Sequence, residues 1–343
     1  MLSQSCSQAS RPPGPLASGP VTISLALAYD MRAPEFGAPP AALYRAALEQ
    51  CAWADRMRFS SVALMEHHAS DDGYLPSPIV LASAVAGVTT RMLIRLSLVL
   101  LPLYDPLRAA EDLAVLDLVS QGRLRLTVGL GYREEEYAQF GVNIKRRPSL
   151  MEEAVEALKS AWTGEPFAFR GRTVRILPRP AQRPRPQIFM GGASPASAER
   201  AARIADGYEP LASRLYEIYL DRLRILGKPP PEDGSPIGSA AYVYLADDPE
   251  RAWARIAPHA MHDANEYARW IGNRRGPFQP VSDPAELRAR GIYQVVTPEE
   301  CVAIAHAAGS LSFKPLVGGL DPGAAWESLQ LFADKVLPHL AVS

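Results

Sequence analysis

The stretch LIRLSLVLLPLYDPLRAAEDLAVLDLVSQGRLRLTVGL, residues 93–130, contains two different sequence patterns in alternation. Apolar and β-branched residues predict a strand over residues 93–101 and another over residues 123–130. Residues 106–120 between them predict a helix, because proline is favoured in the first turn and Gln121-Gly122 can end it. A strand, a helix and a second strand in this order are typical of a parallel α/β sheet.

The same alternation of strand and helix patterns continues along the rest of the chain. Eight strand–helix units favour a (β/α)₈ TIM barrel over an open doubly wound sheet, so the predicted fold class is α/β. The predicted strands cover residues 21–29, 61–65, 93–101, 123–130, 187–190, 207–211, 239–245 and 313–317. The longer predicted helices cover residues 40–57, 77–88, 106–120, 149–162, 195–205, 298–308 and 324–336, and another helix begins at Pro249.

Several segments depart from this alternation. Residues 1–20 are rich in Ser, Pro, Gly and Gln and predict a disordered tail, which leaves residues 21–343 as a single domain. Residues 132–141 form a polar stretch, and residues 167–176 predict a hairpin. Residues 272–297 are rich in Pro, Gly and Arg. They predict an irregular insertion near the carboxyl end of strand seven that could close over a site as a lid.

The composition is that of an ordinary globular protein, with 48% hydrophobic and 21% charged residues among 343. The length would suit two domains of about 150 residues, but a single α/β barrel can take up all of it. The formal net charge of -1 gives no basic excess to neutralise a nucleic-acid backbone. The composition therefore favours a small-molecule partner over nucleic acid.

Two further properties favour a cytoplasmic location without a membrane span. The longest apolar run, residues 93–103, is far shorter than the roughly 20 residues that a span needs, and no secretory signal pattern precedes the first strand. The three cysteines, Cys6, Cys51 and Cys301, are far apart and lack metal-ligand spacing. They predict no disulfide framework, which fits a reducing compartment.

The carboxyl ends of the strands carry the functional site in a barrel of this type. Glu66-His67-His68 follows the second predicted strand, and an imidazole that titrates near neutral pH can act as an acid, a base or a ligand. The alternative is that the histidines pack in the barrel wall and Glu66 orients its neighbours. A metal site is less favoured, because adjacent residues of an extended chain point to opposite sides and cannot supply three converging ligands.

The segment GGASPAS, residues 191–197, predicts an anion site. Two glycines leave strand five, Ser194 can cap the following helix, and the helix N-terminus offers N–H groups and a favourable dipole to a phosphate. Ser194 and Ser197 could add hydroxyl donors, although Ser194 could also serve only as a cap. Gly129-Leu130-Gly131 lacks the third glycine of a dinucleotide fingerprint, so one phosphate is predicted rather than a dinucleotide.

Other polar residues allow simpler interpretations. His259 and His262 lie three residues apart beside Asp263 on a predicted helix. This spacing could bind a metal, but a solvated or packed helical face is favoured. Arg274-Arg275 belongs to the irregular segment and is interpreted as surface charge.

A set of short motifs occurs in order over roughly residues 21–338. They are Glu66-His67-His68, the run LPLYDPLR of residues 101–108, Glu111-Asp112 through Leu116-Asp117, Ser120 and Gly122-Arg123, Gly131-Tyr132-Arg133 with Glu136-Tyr137 and Phe140-Gly141, and Gly318-Gly319-Leu320 with Ala325-Trp326-Glu327. The ordered set resembles the bacterial luciferase-like, flavin-dependent monooxygenases. It is specific for that family, but not for a substrate.

The resemblance implies an enzyme that uses reduced FMN and dioxygen to oxidise a small organic substrate. His67 matches the active-site histidine of the family and follows the acidic Glu66, so these two are the predicted catalytic residues. The resemblance also implies that a separate flavin reductase supplies the reduced FMN and that the chain forms a homodimer.

The cofactor site is predicted by the same resemblance. Ser194 and Ser197 match the hydroxyls that hold the flavin phosphate, next to Gly191, Gly192 and Ala193. Ser97-Leu98 matches the place of a bulge and a non-prolyl cis peptide behind the flavin ring, which Gly129 and Leu130 adjoin.

One departure from the family pattern leaves the cofactor open. Leu130 stands where luciferase itself has a flavin-contacting arginine. Some relatives use a deazaflavin coenzyme for hydride transfer and carry out no oxygen chemistry. The Glu-His-His pattern is typical of the FMN branch, so FMN is favoured. A barrel that binds flavin without catalysis is a third alternative, because a fold does not guarantee activity.

Overall fold

The computed structural model describes residues 22–231, 241–272 and 279–342. The predicted tail, Arg274-Arg275 and Cys6 lie outside the described residues. Cys51 and Cys301 are free, buried thiols. In the described part of the chain, none of the helices is both long and apolar enough to cross a membrane.

Strands and helices alternate over most of the chain. The strands are β1 (Ser24–Tyr29), β2 (Ser61–Leu64), β3 (Leu93–Val99), β4 (Leu124–Val128), β5 (Phe167–Phe169), β6 (Arg172–Val174), β7 (Ile188–Gly192), β8 (Gly207–Pro210), β9 (Tyr242–Leu245), β10 (Tyr293–Val296) and β11 (Ser310–Phe313). The α-helices are α1 (Pro40–Arg56), α2 (Pro78–Val88), α3 (Pro106–Val119), α4 (Glu134–Gln139), α5 (Arg147–Ala161), α6 (Pro195–Ile204), α7 (Ser213–Ile225), α8 (Pro249–Ile271), α9 (Pro284–Ala289), α10 (Pro298–Ala308) and α11 (Pro322–Lys335).

Seven parallel strands form the main sheet, in the order β11-β1-β2-β3-β4-β7-β8. β9 and β10 form a separate parallel pair, and β9 packs against β11. Within the described residues the sheet is therefore an open half-barrel rather than a closed ring of eight strands. The fold is α/β, as predicted, and the hairpin of β5 and β6 lies within the predicted segment.

The local signals that predicted the helix ends act as expected. The Asp105 carboxylate caps α3 by accepting hydrogen bonds from the N–H groups of Leu107 and Arg108, and Pro106 occupies the first turn. Gln121 and Gly122 have positive φ angles of 55° and 80°, which end the helix and turn the chain into β4. These caps fix where the carboxyl end of β3 and the start of β4 lie.

The predictions for the last third of the chain are partly wrong. Strand eight was predicted at residues 313–317, but β11 ends at Phe313. Gly309, at a φ of 67°, ends α10 directly before β11, and Lys314 leaves the strand to enter buried ion pairs. Strand seven is confirmed as β9, but it pairs with β10 outside the main sheet.

Two segments without a predicted element contain regular structure. α9 and β10 lie within residues 272–297 and pack with α8 in a second hydrophobic cluster that includes Trp253, Leu287 and Val295. The polar stretch of residues 132–141 contains α4, whose first turn consists of three glutamates. Acidic side chains stabilise the positive end of a helix, which explains why so polar a segment is helical.

Candidate functional site

His67 lies three residues beyond the end of β2 and is buried. Its Nδ1 is 2.6 Å from Oε1 of Glu136, which is fully buried in α4. Burial lowers the pKa of His67 below its ordinary value, although the hydrogen bond and charge of Glu136 oppose this shift. His67 is therefore a neutral imidazole at pH 7, and it can accept a proton.

Aromatic rings surround His67. The ring centroids of Trp270, Tyr74 and Tyr132 lie 4.8, 4.9 and 5.5 Å from that of His67. Trp270 comes from the last turn of α8, so this helix reaches the carboxyl end of the main sheet. The rings keep bulk water away from the imidazole, which strengthens its interactions with charged neighbours.

Glu66 and His68 form a second pair. Oε1 of Glu66 lies 2.8 Å from Nε2 of His68 and accepts a hydrogen bond from the Tyr104 hydroxyl at 2.8 Å. Oε2 of Glu66 accepts from the Leu100 N–H at 2.8 Å. Glu66 thus ties the end of β2 to the end of β3, and the two histidines contact different carboxylates, as the alternation along an extended chain predicts.

The Ser97–Leu98 peptide is cis, and the pairing of β3 with β4 shifts register between Ser97 and Val99. The bulge and the cis peptide expected at this position are thus confirmed. A Cβ atom on Gly129 or Gly191 would lie 2.4 or 2.7 Å from the Leu98 side chain. The two glycines therefore leave the space that the Leu98 side chain occupies.

The residues predicted to bind a phosphate form a capping box at the start of α6. The exposed Ser194 accepts from the Ser197 N–H, and Ser194 N–H donates to the Ser197 hydroxyl at 3.2 Å. That hydroxyl is buried and also lies 2.8 Å from the Tyr208 hydroxyl. A Cβ on Gly192 would lie 2.3 Å from Ser197 Oγ, so this glycine makes room for the cap. Gly191 and Gly192 belong to β7 itself, rather than following it.

A buried charge cluster that sequence reasoning missed lies beside His67. The guanidinium of Arg32 forms ion pairs with Asp30, Asp72 and Asp263, and the ammonium of Lys314 lies 2.7 Å from Asp30 and 2.6 Å from Asp263. Burial alone would lower the pKa of Lys314, but the two carboxylates raise it well above its ordinary value. The cluster joins β1, β11 and α8 at the carboxyl end of the sheet.

Aromatic rings enclose the Arg32 guanidinium. It lies 4.3 Å from the ring centroid of Trp270 and 4.7 and 4.9 Å from those of Tyr74 and Tyr267. The only sequence signal for this cluster was the position of Asp30 at the end of a strand. Arg32 follows in a loop, and Asp263 lies on a helix whose position could not be predicted.

The histidines of α8 do not converge on a metal. His262 lies 2.8 Å from Asp72, and Nδ1 of His259 lies 2.8 Å from the Gly318 carbonyl oxygen. Among the described residues, no group of three or more His, Cys, Asp and Glu side chains could hold a metal ion. His259 and His262 thus lie on a packed face of α8, where each contacts a neighbouring segment.

The sheet order brings most of the predicted site residues to one edge. β2, β3, β4 and β7 are neighbours, and their carboxyl ends carry Glu66 and His67, Ser97 and Leu98, Gly129 and Leu130, and Gly191 to Ser194. Glu136, Arg133 and Trp270 lie near the same edge but were not predicted as site residues. Two signals for Glu136 were available: its place in the ordered family motifs and the acidic first turn of α4.

A family model described as luciferase-like monooxygenase matches residues 30–310 of this chain. The chain belongs to the luciferase-like monooxygenase family. Relatives of this chain include a flavin-dependent monooxygenase and an F420-dependent dehydrogenase, so membership of the family supports an enzyme. The resemblance inferred from the ordered motifs is confirmed.

Curated relatives of this chain differ in the cofactor that their names give. The oxygenase component of a flavin-dependent trigonelline monooxygenase from Acinetobacter baylyi is 26% identical, over 88% of this chain and 91% of the relative. An F420-dependent glucose-6-phosphate dehydrogenase from Microbacterium testaceum is 28% identical, over 93% of this chain and 98% of the relative. Two proteins from Sinorhizobium fredii match over about half of their lengths, 51% and 45%.

The crystal structure of the monooxygenase RslO1 from Streptomyces bottropensis has the same fold. It is 25% identical, with a TM-score of 0.73 over 92% of this chain and 99% of that chain. The luciferase-like fold is thus supported by a solved structure over nearly the whole length of both chains.

Proposed function

We propose that this chain is the oxygenase component of a two-component, FMN-dependent monooxygenase. A separate flavin reductase supplies reduced FMN, and the chain uses it with dioxygen to oxidise a small organic substrate. The observation that carries the proposal is the buried imidazole of His67, held by Glu136 among aromatic rings at the carboxyl end of the sheet. The relative named as the oxygenase component of trigonelline monooxygenase supports the two-component arrangement.

The first turn of α6 fits a flavin phosphate. It contains no acidic residue, and the exposed Ser194 hydroxyl and the N–H of Ala196 lie at the positive end of the helix. Gly191, Gly192 and Ala193 would hold the phosphate by their backbone, while Ser197 would act by fixing the cap.

The ring end of the cofactor site would lie at the cis Ser97–Leu98 peptide and at the glycines beside it. Ser97, Leu98, Gly129 and Leu130 would hold the flavin ring, where the two strand ends meet at the bulge. Bound reduced FMN would supply the electrons for the reduction of dioxygen.

His67 would move the proton that oxidation of the substrate requires. Its low pKa keeps the base form available at pH 7. Glu66 would support the site through His68 and the Leu100 backbone rather than by proton transfer. The rings of Trp270, Tyr74 and Tyr132 would exclude water from this centre. We do not assign the lid predicted over residues 272–297 to α9 and β10, because both are packed into the fold. Residues 273–278 of that segment lie outside the described residues.

A deazaflavin-dependent oxidoreductase is the second candidate function. One observation favours it: an F420-dependent relative aligns over nearly the full length. Leu130, which provides no positive charge at the end of β4, leaves the choice of cofactor open. In that case His67 would give or take the proton that accompanies hydride transfer to or from a substrate, and dioxygen would take no part.

We also infer a cytoplasmic homodimer of closed TIM barrels. The packing of β9 against β11 supports closure of the barrel. α2 contains no charged residue, and its exposed Val80 and Val88 lie beside α3, which exposes Val115 and Val119. Monomeric soluble proteins rarely leave such an apolar surface uncovered, so a second copy is its proposed partner.

Stopped-flow mixing tests the monooxygenase proposal without a known substrate. Protein that has been mixed anaerobically with reduced FMN is exposed to dioxygen, and the return of oxidised-flavin absorbance is followed. We expect the wild-type protein to change the rate of this return, compared with free reduced FMN. An identical trace at high protein concentration would contradict the proposal.

A further inference from the structure

We propose that Glu136 is a positioning residue that holds the His67 ring with its proton on Nδ1 and leaves the Nε2 lone pair for the reactants. The proposal rests on the acid/base role proposed for His67. It assigns a part in the reaction to α4, a six-residue helix that only connects β4 to the following segment.

The contacts of Glu136 point to His67. Its Oε1 lies 2.6 Å from His67 Nδ1 and accepts the backbone N–H of His68 at 3.0 Å. The side chain of Glu136 is fully buried, and its Oε2 has no hydrogen-bond partner among the described residues. A buried carboxylate is costly unless its partners compensate it, so a packing role alone does not explain a charged group here.

The chemistry of a carboxylate fixes the tautomer. A carboxylate can only accept hydrogen bonds, so a neutral imidazole at 2.6 Å from it carries its proton on Nδ1. Nε2 then has the free lone pair and can accept a proton. The same arrangement orients the histidine in acid/base sites in which a carboxylate binds the nitrogen remote from the substrate.

Arg133 completes a clamp at the start of α4. Its guanidinium donates to the carbonyl oxygens of His68 and Ala69 and lies 3.6 Å from Glu136. Ala69 has a φ of 49°, a left-handed conformation that is uncommon for alanine. The backbone beyond His67 is thus held from α4 at three consecutive points, which fixes the ring as well as its proton.

His68 provides an internal contrast. It contacts Glu66 through Nε2, at 2.8 Å, whereas His67 contacts Glu136 through Nδ1. The two adjacent histidines are therefore expected to be opposite tautomers, each set by its own carboxylate. Glu66→Gln is the matched control, because it removes a carboxylate from His68 and leaves the partner of His67 in place.

Other groups around His67 also affect its titration. Burial and the charges of Arg133 and Arg32 lower the pKa of His67, and Glu136 raises it. Removing the Glu136 charge should therefore lower the pKa of His67 further. The charged and titratable side chains near the ring are Glu136, Arg133, Arg32, Tyr74, Tyr132 and Tyr267.

Long-range ¹H–¹⁵N correlation spectra of the full chain with labelled histidine test the proposal without flavin or substrate. The chain has six histidines, so His67→Gln and His68→Gln can assign the two signals. In wild-type protein near pH 7 we expect His67 as the Nδ1–H tautomer and His68 as the Nε2–H tautomer. Wild-type His67 in the Nε2–H form would overturn the proposal, whatever happens to the variants.

Three variants separate positioning from packing. Glu136→Gln should shift the titration of His67 to lower pH, and Glu136→Leu should convert its signal to a mixture of tautomers. Glu136→Asp should restore the Nδ1–H form, and Glu66→Gln should change only His68. An unchanged His67 tautomer and titration in folded Glu136→Leu would show that Glu136 only packs. The protein could show the expected histidine tautomers and still fail to bind FMN. That result would refute the proposed function and leave this inference standing.

Discussion

At the scale of the residue, three neighbours in the sequence have three different environments. Glu66 ties two strand ends together, His67 faces Glu136 and the aromatic rings, and His68 is bound to Glu66. The sequence predicted that the two histidines point apart, because strand geometry determines that locally. It could not predict Glu136 as the partner, because this contact joins residues 69 positions apart in the chain.

Substitution of His67 tests its proposed role in proton transfer. His67→Gln keeps similar size and hydrogen-bonding capacity but cannot titrate, so we expect a folded, flavin-binding protein whose turnover falls by roughly 10²–10⁴. His68→Gln is the control and should lose less activity. The comparison uses the oxidative half-reaction once an active substrate is found. A larger loss in His68→Gln would mean that the roles of the two histidines are reversed.

Substitution of Ser194 tests the phosphate site. Ser194 is exposed at the start of α6, so Ser194→Asp places a negative charge where we propose the flavin phosphate. Because aspartate is also a good N-cap, helix stability should change little, whereas like-charge repulsion should weaken FMN binding far more than Ser194→Ala does. Isothermal titration with FMN measures both variants. Equal affinities would place the phosphate elsewhere.

At the scale of the element, the accuracy of prediction followed the strength of local signals. α3 and α6 have caps and prolines at their starts, and both lie where predicted. α9 and β10 are six and four residues long, too short for a periodic pattern, and they are stabilised by packing against α8. Such elements depend on distant contacts and cannot be recognised from their own sequence.

The docking of α8 should weaken in acid. Burial alone would raise the pKa of Asp72, but the hydrogen bond from His262 and the charge of Arg32 lower it below its ordinary value. A lowered folded-state pKa stabilises the protein above the unfolded-state pKa of about 3.9, and this contribution is lost as pH falls further. Urea unfolding should show a steeper loss of the free energy of unfolding from pH 5 to 3 in wild type than in Asp72→Asn. If the free energy of unfolding fell equally with pH in both proteins, Asp72 would not be the source of the acid sensitivity.

At the scale of the whole molecule, composition and strand–helix alternation predicted an α/β fold in a single domain. They could not predict that β9 leaves the main sheet, because its apolar pattern is the same in either position. The buried cluster around Arg32 was equally unpredictable, since five charged residues from four separate segments come together only in the folded chain.

The proposed dimer can be tested with one valine and one isoleucine of nearly equal exposure. Val80 on α2 is 71% exposed and Ile225 at the end of α7 is 72% exposed. Val80→Asp should shift the protein to a monomer, because a charge at the centre of an apolar interface is costly to bury. Ile225→Asp should leave the protein a dimer, with the same molecular mass in solution as the wild type. Sedimentation velocity at several concentrations measures both, and identical behaviour of the two variants would place the interface elsewhere.

The central claim is that this family member binds reduced FMN as its cofactor. Anaerobic titration of the wild-type protein with reduced FMN and, in parallel, with a reduced deazaflavin coenzyme tests it most directly, because it requires neither a substrate nor a reductase. We predict saturable binding of reduced FMN that is tighter than binding of the deazaflavin. Tighter binding of the deazaflavin, or no binding of reduced FMN, would contradict the account.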